Sequence, residues 1–151
     1  MIRDLNITES KAILAENYIG NLSYIYDDKP YIVPITYFFN SEKNAFIIYS
    51  SVGHKTHALE KNNAVSIGVT EIENINNWKS VLAQGVYEKL SSIDSKACLR
   101  EFATGIKELI SKKEEKNPLF ISEFSSKMYY DKVPIVFKIK IDSITGKYRE
   151  E

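Results

Sequence analysis

The spacing of apolar positions changes several times along the chain, and each change marks an element. Ala12, Ile13, Leu14 and Ala15 give a short apolar face behind Thr8 and Glu9, which predicts a helix capped at Thr8 and ending near Asn17. Residues 18–26 and 31–39 are then rich in Tyr, Ile and Phe. Asp27, Asp28, Lys29 and Pro30 separate them, a break of hairpin length and composition. Residues 45–49 are continuously apolar, too short for a helix, and read as a buried third strand. Over residues 53–61, Ala58 and Leu59 share a face among Lys and Glu, so a two-turn helix crosses one end of the sheet and stops at Asn62 and Asn63.

Residues 64–70 and 79–90 suit two more strands, with an Asn-rich polar loop at 73–77 between them. Cys98, Phe102, Ile106 and Leu109 recur at helical spacing within residues 94–111, behind Ser92 or Asp94 as a cap. The charged run 112–116 and Pro118 close that helix. Residues 134–142 alternate apolar positions with Lys, as a final strand wet on one face does. No repeat recurs, so the pattern predicts a mostly β fold with α additions, six strands closing into a small barrel with helices outside.

The length, 151 residues, suits one domain over 1–151. Lys+Arg and Asp+Glu both number 20, so no bulk charge clamps nucleic acid, and any anion must be held by a local site. With 44% hydrophobic residues, 6 Gly and 4 Pro, the chain is not of disordered composition. The opening MIRDLNITES has no basic region followed by an apolar core, and apolar stretches are short, so neither export nor a membrane partner is expected and the cytoplasm is the default. The lone Cys98 has no intrachain disulfide partner, and His54 with His57 supplies at most part of a metal site, so no metal is expected.

Three stretches carry candidate chemistry. At the turn from the third strand to the second helix, Ser50, Ser51, Gly53, His54 and Lys55 gather hydroxyls and two potential cations where a helix start offers free N–H groups, a receptor for phosphate. The same serines also suit ordinary helix capping. Trp78 opens a strand beside Ser80, so a planar ligand could stack on the indole while the hydroxyl donates to it; core or interface packing is the other use of such a tryptophan. Pro34 interrupts an apolar strand and removes one ladder donor, which requires an edge, a bulge or a ligand beside it.

Five pieces in this order, the stretch 18–22, PYIVPITY, SSVGHK, WKSVLAQG and the late ITGK, resemble the flavin-binding split barrels of the pyridoxamine 5′-phosphate oxidase-like superfamily, in particular its nitroimidazole-reductase-related branch. The resemblance implies a six-stranded antiparallel split β-barrel that binds FMN at a homodimer interface. Carried onto this sequence, Lys55 pairs with the FMN phosphate, Ser50, Ser51 and His54 complete the pocket, and Ser80 reaches it from a neighbouring strand beside Trp78. Backbone groups of Pro34, Ile35 and Thr36 face the flavin's polar edge. His54 stands where Arg is common, so cofactor affinity is expected to depend on pH. The Arg-Leu-Asp-Pro ending of true pyridoxamine phosphate oxidases is absent.

The activity so implied is an oxidoreductase passing reducing equivalents from a nicotinamide donor, NADH or NADPH, to a small acceptor of the nitroaromatic or quinone kind. The flavin carries the redox chemistry, and no side-chain nucleophile or acid–base pair is expected to be indispensable. The alternative is a non-catalytic flavin- or haem-binding protein of the same fold. For haem, the axial ligand would come from His54, His57, Cys98, Met128 or a tyrosine.

Overall fold

The computed structural model describes residues 1–51, 53–114 and 135–151. The element order is β1 (Ile2–Leu5), α1 (Ile7–Glu16), β2 (Ile19–Tyr26), β3 (Lys29–Asn40), β4 (Ala45–Ser50), α2 (His54–Lys61), β5 (Ala64–Asn74), β6 (Asn77–Glu88), α3 (Ser92–Glu114) and β7 (Ile135–Arg149). The expected stop at Pro118 and the start of the last strand at Pro134 lie outside the described residues.

Local chemistry fixes these boundaries. Asn6, not Thr8, caps α1: its side chain accepts the Glu9 N–H at 2.8 Å while Glu9 accepts the Asn6 N–H, a reciprocal box that starts the helix earlier than expected. At α3 the cap is Ser91, whose Oγ accepts the Asp94 N–H at 3.2 Å, rather than Ser92 or Asp94. Asp27 and Asp28 both adopt positive φ, 52° and 58°, the geometry of a two-residue hairpin turn, so β3 begins at Lys29. The loop expected at 73–77 likewise contracts to Ile75 and Asn76 between β5 and β6.

All strand pairs are antiparallel, in the order β1-β7-β4-β3-β2-β5-β6, and β6 pairs again with β7. Six strands therefore close the expected ring. The seventh, β1, is an addition that no apolar run announces: three of its four residues are exposed, and it lies along the end of β7. There the Lys147 ammonium meets the Asp4 carboxylate. With β1 on one side and β6 on the other, β7 runs to Arg149, well past the expected end at 142.

Leu22, Ile35, Phe46, Ile48, Ile67, Val81 and Ile139 fill the ring, with Leu14 of α1 and Leu59 of α2 joining this core. Tyr37 anchors α1 by donating its buried hydroxyl to the Leu14 carbonyl at 2.9 Å. On the outer face of β4 and β7, Ile47 and Val136 pack beneath Phe102, Ile106 and Ile110 of α3. The opposite outer face, on β2, β3, β5 and β6, carries exposed Ile19, Ile32, Ile72 and Leu82. No helix among the described residues is long and apolar enough to cross a membrane.

Closure is tight where β6 shifts register against β7 between Gln84 and Gly85. A Cβ at Gly85 would be driven into the Lys140 carbonyl oxygen, which belongs to the facing backbone. Gly85→Ala should therefore destabilise the fold by about 1–3 kcal/mol, as overpacking against an unyielding neighbour does. Urea unfolding measures this, and an unchanged midpoint would contradict such close approach.

Candidate functional site

The ladder between β3 and its neighbours is uneven. β3 pairs with β2 from Lys29 to Thr36, but with β4 only from Thr36 to Asn40. Among the described residues, the stretch from Lys29 to Ile35 therefore has a free backbone edge beyond the end of β4. Pro34 lies within this stretch, so its missing N–H falls where an incomplete ladder tolerates it. Its ring is exposed, opposite Asn21, and Thr36 is half-buried. The Ile35 side chain is in the core, which leaves only its backbone available to a ligand.

β4 ends at Ser50, whose buried hydroxyl donates to the Ser51 carbonyl at 3.2 Å. Gly53 then caps α2 without a side chain, and Thr56 does the work: its Oγ1 accepts the Gly53 N–H and donates to the Gly53 carbonyl, each at 3.0 Å. The serine hydroxyls are not the helix cap, and the capping alternative falls away. Because Thr56, Ala58 and Leu59 are buried, α2 is seated over the ring with its first residues beside the gap between β3 and β4.

Lys55 is half-buried in this first turn, and burial lowers its pKa below the ordinary lysine value. No carboxylate among the described residues lies within 4.0 Å of its ammonium. A partly desolvated cation with no carboxylate beside it among the described residues, at the positive end of a helix, has the chemistry to receive an anion.

His54 is exposed at its edge but held by a rim of tyrosines. Its Nδ1 is 2.9 Å from the Tyr24 hydroxyl, and the rings of Tyr26 and Tyr31 lie 4.9 and 4.8 Å from the imidazole. Tyr24 and Tyr31 are directly opposite on β2 and β3 and stack at 5.4 Å. The sequence reading missed these three tyrosines. Their signal was present in the facing positions 24 and 31 of the hairpin, but nothing local showed that α2 would return over them.

Trp78 and Ser80 do not join this cluster within one chain. The row through Tyr24 crosses Val65 to Gly85, and Ser80 stands five positions further along β6, roughly 16 Å away along the strand. Ser80 instead pairs with Thr70, which with Gly20, Asn21, Gly68 and Lys113 lines a hollow of about 350 Å³. Among the other groups weighed, His57 is 6.0 Å from the Tyr26 ring, ring to ring. Cys98 lies partly buried beside the α3 cluster, where burial pushes its thiol pKa up. Met128 lies outside the described residues. No set of three potential metal ligands occurs among the described residues.

The pyridoxamine 5′-phosphate oxidase family profile matches residues 7–147. An uncharacterized Rhizobium meliloti protein is 27% identical over 146 residues, covering 97% of this chain and 94% of its own. The crystal structure of a FAD-binding protein from Mesorhizobium loti is 25% identical, covers 100% of this chain and 98% of its own, and superposes with a TM-score of 0.76. A Bacteroides thetaiotaomicron structure described as a putative 5-nitroimidazole antibiotic resistance protein gives a TM-score of 0.69 at 16% identity, over 98% of this chain and 87% of that one. This second likeness is one of fold.

The Lys55 environment has a direct signature. In an NMR titration of ¹³C-methylated lysines, with Lys55→Arg for assignment, the Lys55 signal should lose its proton at lower pH than the exposed lysines. A bound phosphate monoester should move that titration back upward, because the anion favours the ammonium. A Lys55 signal titrating with the surface lysines would contradict the geometry.

Proposed function

Because the chain belongs to the pyridoxamine 5′-phosphate oxidase family, we propose that it binds FMN as a homodimer and works as an oxidoreductase. Reducing equivalents pass from NADH or NADPH to a small acceptor of the nitroaromatic or quinone kind. The observation that carries the reading is Lys55, half-buried at the start of α2 with no carboxylate partner among the described residues. The donor set fits a flavin phosphate: one ammonium, the Ser51 hydroxyl, the His54 imidazole and the N–H groups of the first helical turn, with the Ser50 hydroxyl joining them once it turns from the Ser51 carbonyl.

A bound flavin supplies the redox chemistry, and the chain's own groups bind, orient and shield it. Lys55 and the α2 start would neutralise the phosphate. Backbone groups of Pro34, Ile35 and Thr36 would meet the polar edge of the ring system along the open edge of β3. The outer face of β2, β3, β5 and β6 supports the dimer, since exposed Ile32 at 69%, Ile72 at 71% and Leu82 at 44% leave apolar surface that α3 does not cover. In that assembly Trp78 and Ser80 would serve the partner's cofactor. A cytoplasmic location accords with this use of reduced nicotinamide.

Two measurements test the reading. Lys55→Ala should weaken FMN binding by about 1.5–3 kcal/mol, the loss of one charge-assisted hydrogen bond, and should remove most of the preference for FMN over riboflavin. Equal FMN and riboflavin affinities in the unaltered protein would remove the phosphate site. In sedimentation equilibrium the protein should show twice its 17.3 kDa chain mass, and Ile32→Lys should shift it toward monomer; a monomer holding flavin tightly would refute the dimer.

A further inference from the structure

Of the two ring nitrogens of His54, Nδ1 is the one in contact with a hydroxyl. We propose that Tyr24 is a positioning residue that fixes His54 as an Nε2–H donor toward the phosphate of the bound flavin, an inference that rests on the α2 start being the phosphate site. The Tyr24 hydroxyl is 2.9 Å from Nδ1. The phenol is 3% exposed, its ring stacked on Tyr31 with an interplanar angle of 9°. Burial, with Tyr31 adding to it, raises the Tyr24 pKa, so the hydroxyl keeps its proton. A protonated phenol is able to donate to a neutral imidazole nitrogen, and in the proposed direction Nδ1 is the acceptor and the ring proton sits on Nε2.

The rest of the rim fixes the orientation of that ring. Tyr26 meets the imidazole edge-on at 73°, and Tyr31 lies against it at 57°. With Nδ1 tied to β2 and the ring wedged between β2 and β3, Nε2 is the nitrogen left for a ligand. Lys55 follows immediately in the same turn, so a fixed donor and a cation stand side by side. An Arg at position 54 would carry permanent charge and its own fork of donors. A histidine there needs a second residue to orient it, and Tyr24 supplies that from thirty positions away in the chain.

Two arms test this. In the flavin-free protein, above the imidazolium range, ¹⁵N NMR should place the His54 proton on Nε2 with Nδ1 as an acceptor. Tyr24→Phe should return His54 toward the tautomer mixture of exposed His57, a change that mere loss of packing does not produce. Nδ1 carrying the proton in the unaltered protein would overturn the proposal. In the second arm, the ratio of FMN to riboflavin affinity is measured for the unaltered protein, Tyr24→Phe, His54→Ala and the double variant. The ratio cancels damage common to both ligands. Tyr24→Phe should lower it three- to tenfold, and should have no further effect once His54 is alanine. An unchanged ratio, or an equal loss in both backgrounds, would overturn the role of Tyr24. A ratio near one in the unaltered protein would instead overturn the phosphate site itself, with the tautomer still read independently in the first arm.

Discussion

A sheet that closes on itself must satisfy the backbone hydrogen bonds of every strand, and the shape of this protein follows from how that demand is met. β7 pairs with β4 from Ile135 to Lys140 and with β6 from Lys138 to Arg149, so a single strand seals the ring. β4 pairs with β3 on one edge and with β7 on the other, and it ends at Ser50, one residue past the Thr36–Tyr49 pair. Lys29 to Ile35 then keep β2 as their only strand partner among the described residues. Free N–H and C=O groups on an edge seek a partner. Here Lys55, with no carboxylate partner among the described residues, stands in the first turn of the helix that follows β4, and the candidate site is the consequence.

The division of labour at the site is physical as well as chemical. Thr56 closes the first turn of α2 with hydrogen bonds to Gly53, so the hydroxyls of Ser50 and Ser51 are not consumed by capping. Leu59 and Ala58 anchor the helix in the ring's core, which keeps the turn in place against the desolvation cost of Lys55. The tyrosine rim meanwhile covers the hairpin end of the ring with aromatic surface. In this arrangement the rigid core carries the stability, and the polar groups are left free to meet a ligand.

Much of this was legible in the residues. Short apolar runs and the Asp-Asp turn gave the central strands, and Ser50 to Lys55 stood out because hydroxyls and two potential cations meet at a strand-to-helix turn, although the serines alone also suited capping. What was hidden depends on contacts distant in sequence. The exposed residues of β1 show no apolar pattern because the strand is held by its backbone pairing with β7. Asn6 and Ser91 were passed over as caps because neighbouring residues of similar type compete for the same role. Tyr24 acquires its role only when α2 returns over the hairpin, and the separation of Ser80 from Lys55 is a matter of sheet register that no local pattern encodes.

Hydrogen exchange, compared with FMN and with riboflavin bound, tests the central claim most directly, since the two ligands share the ring system and differ in the phosphate. FMN is predicted to protect amides both along the open edge of β3, residues 29–35 apart from Pro30 and Pro34, and through the α2 start at 53–57. Riboflavin is predicted to protect the β3 edge alone. Identical protection by the two ligands, or protection confined to other elements, would contradict the assignment of the α2 start to the phosphate and of the β3 edge to the ring.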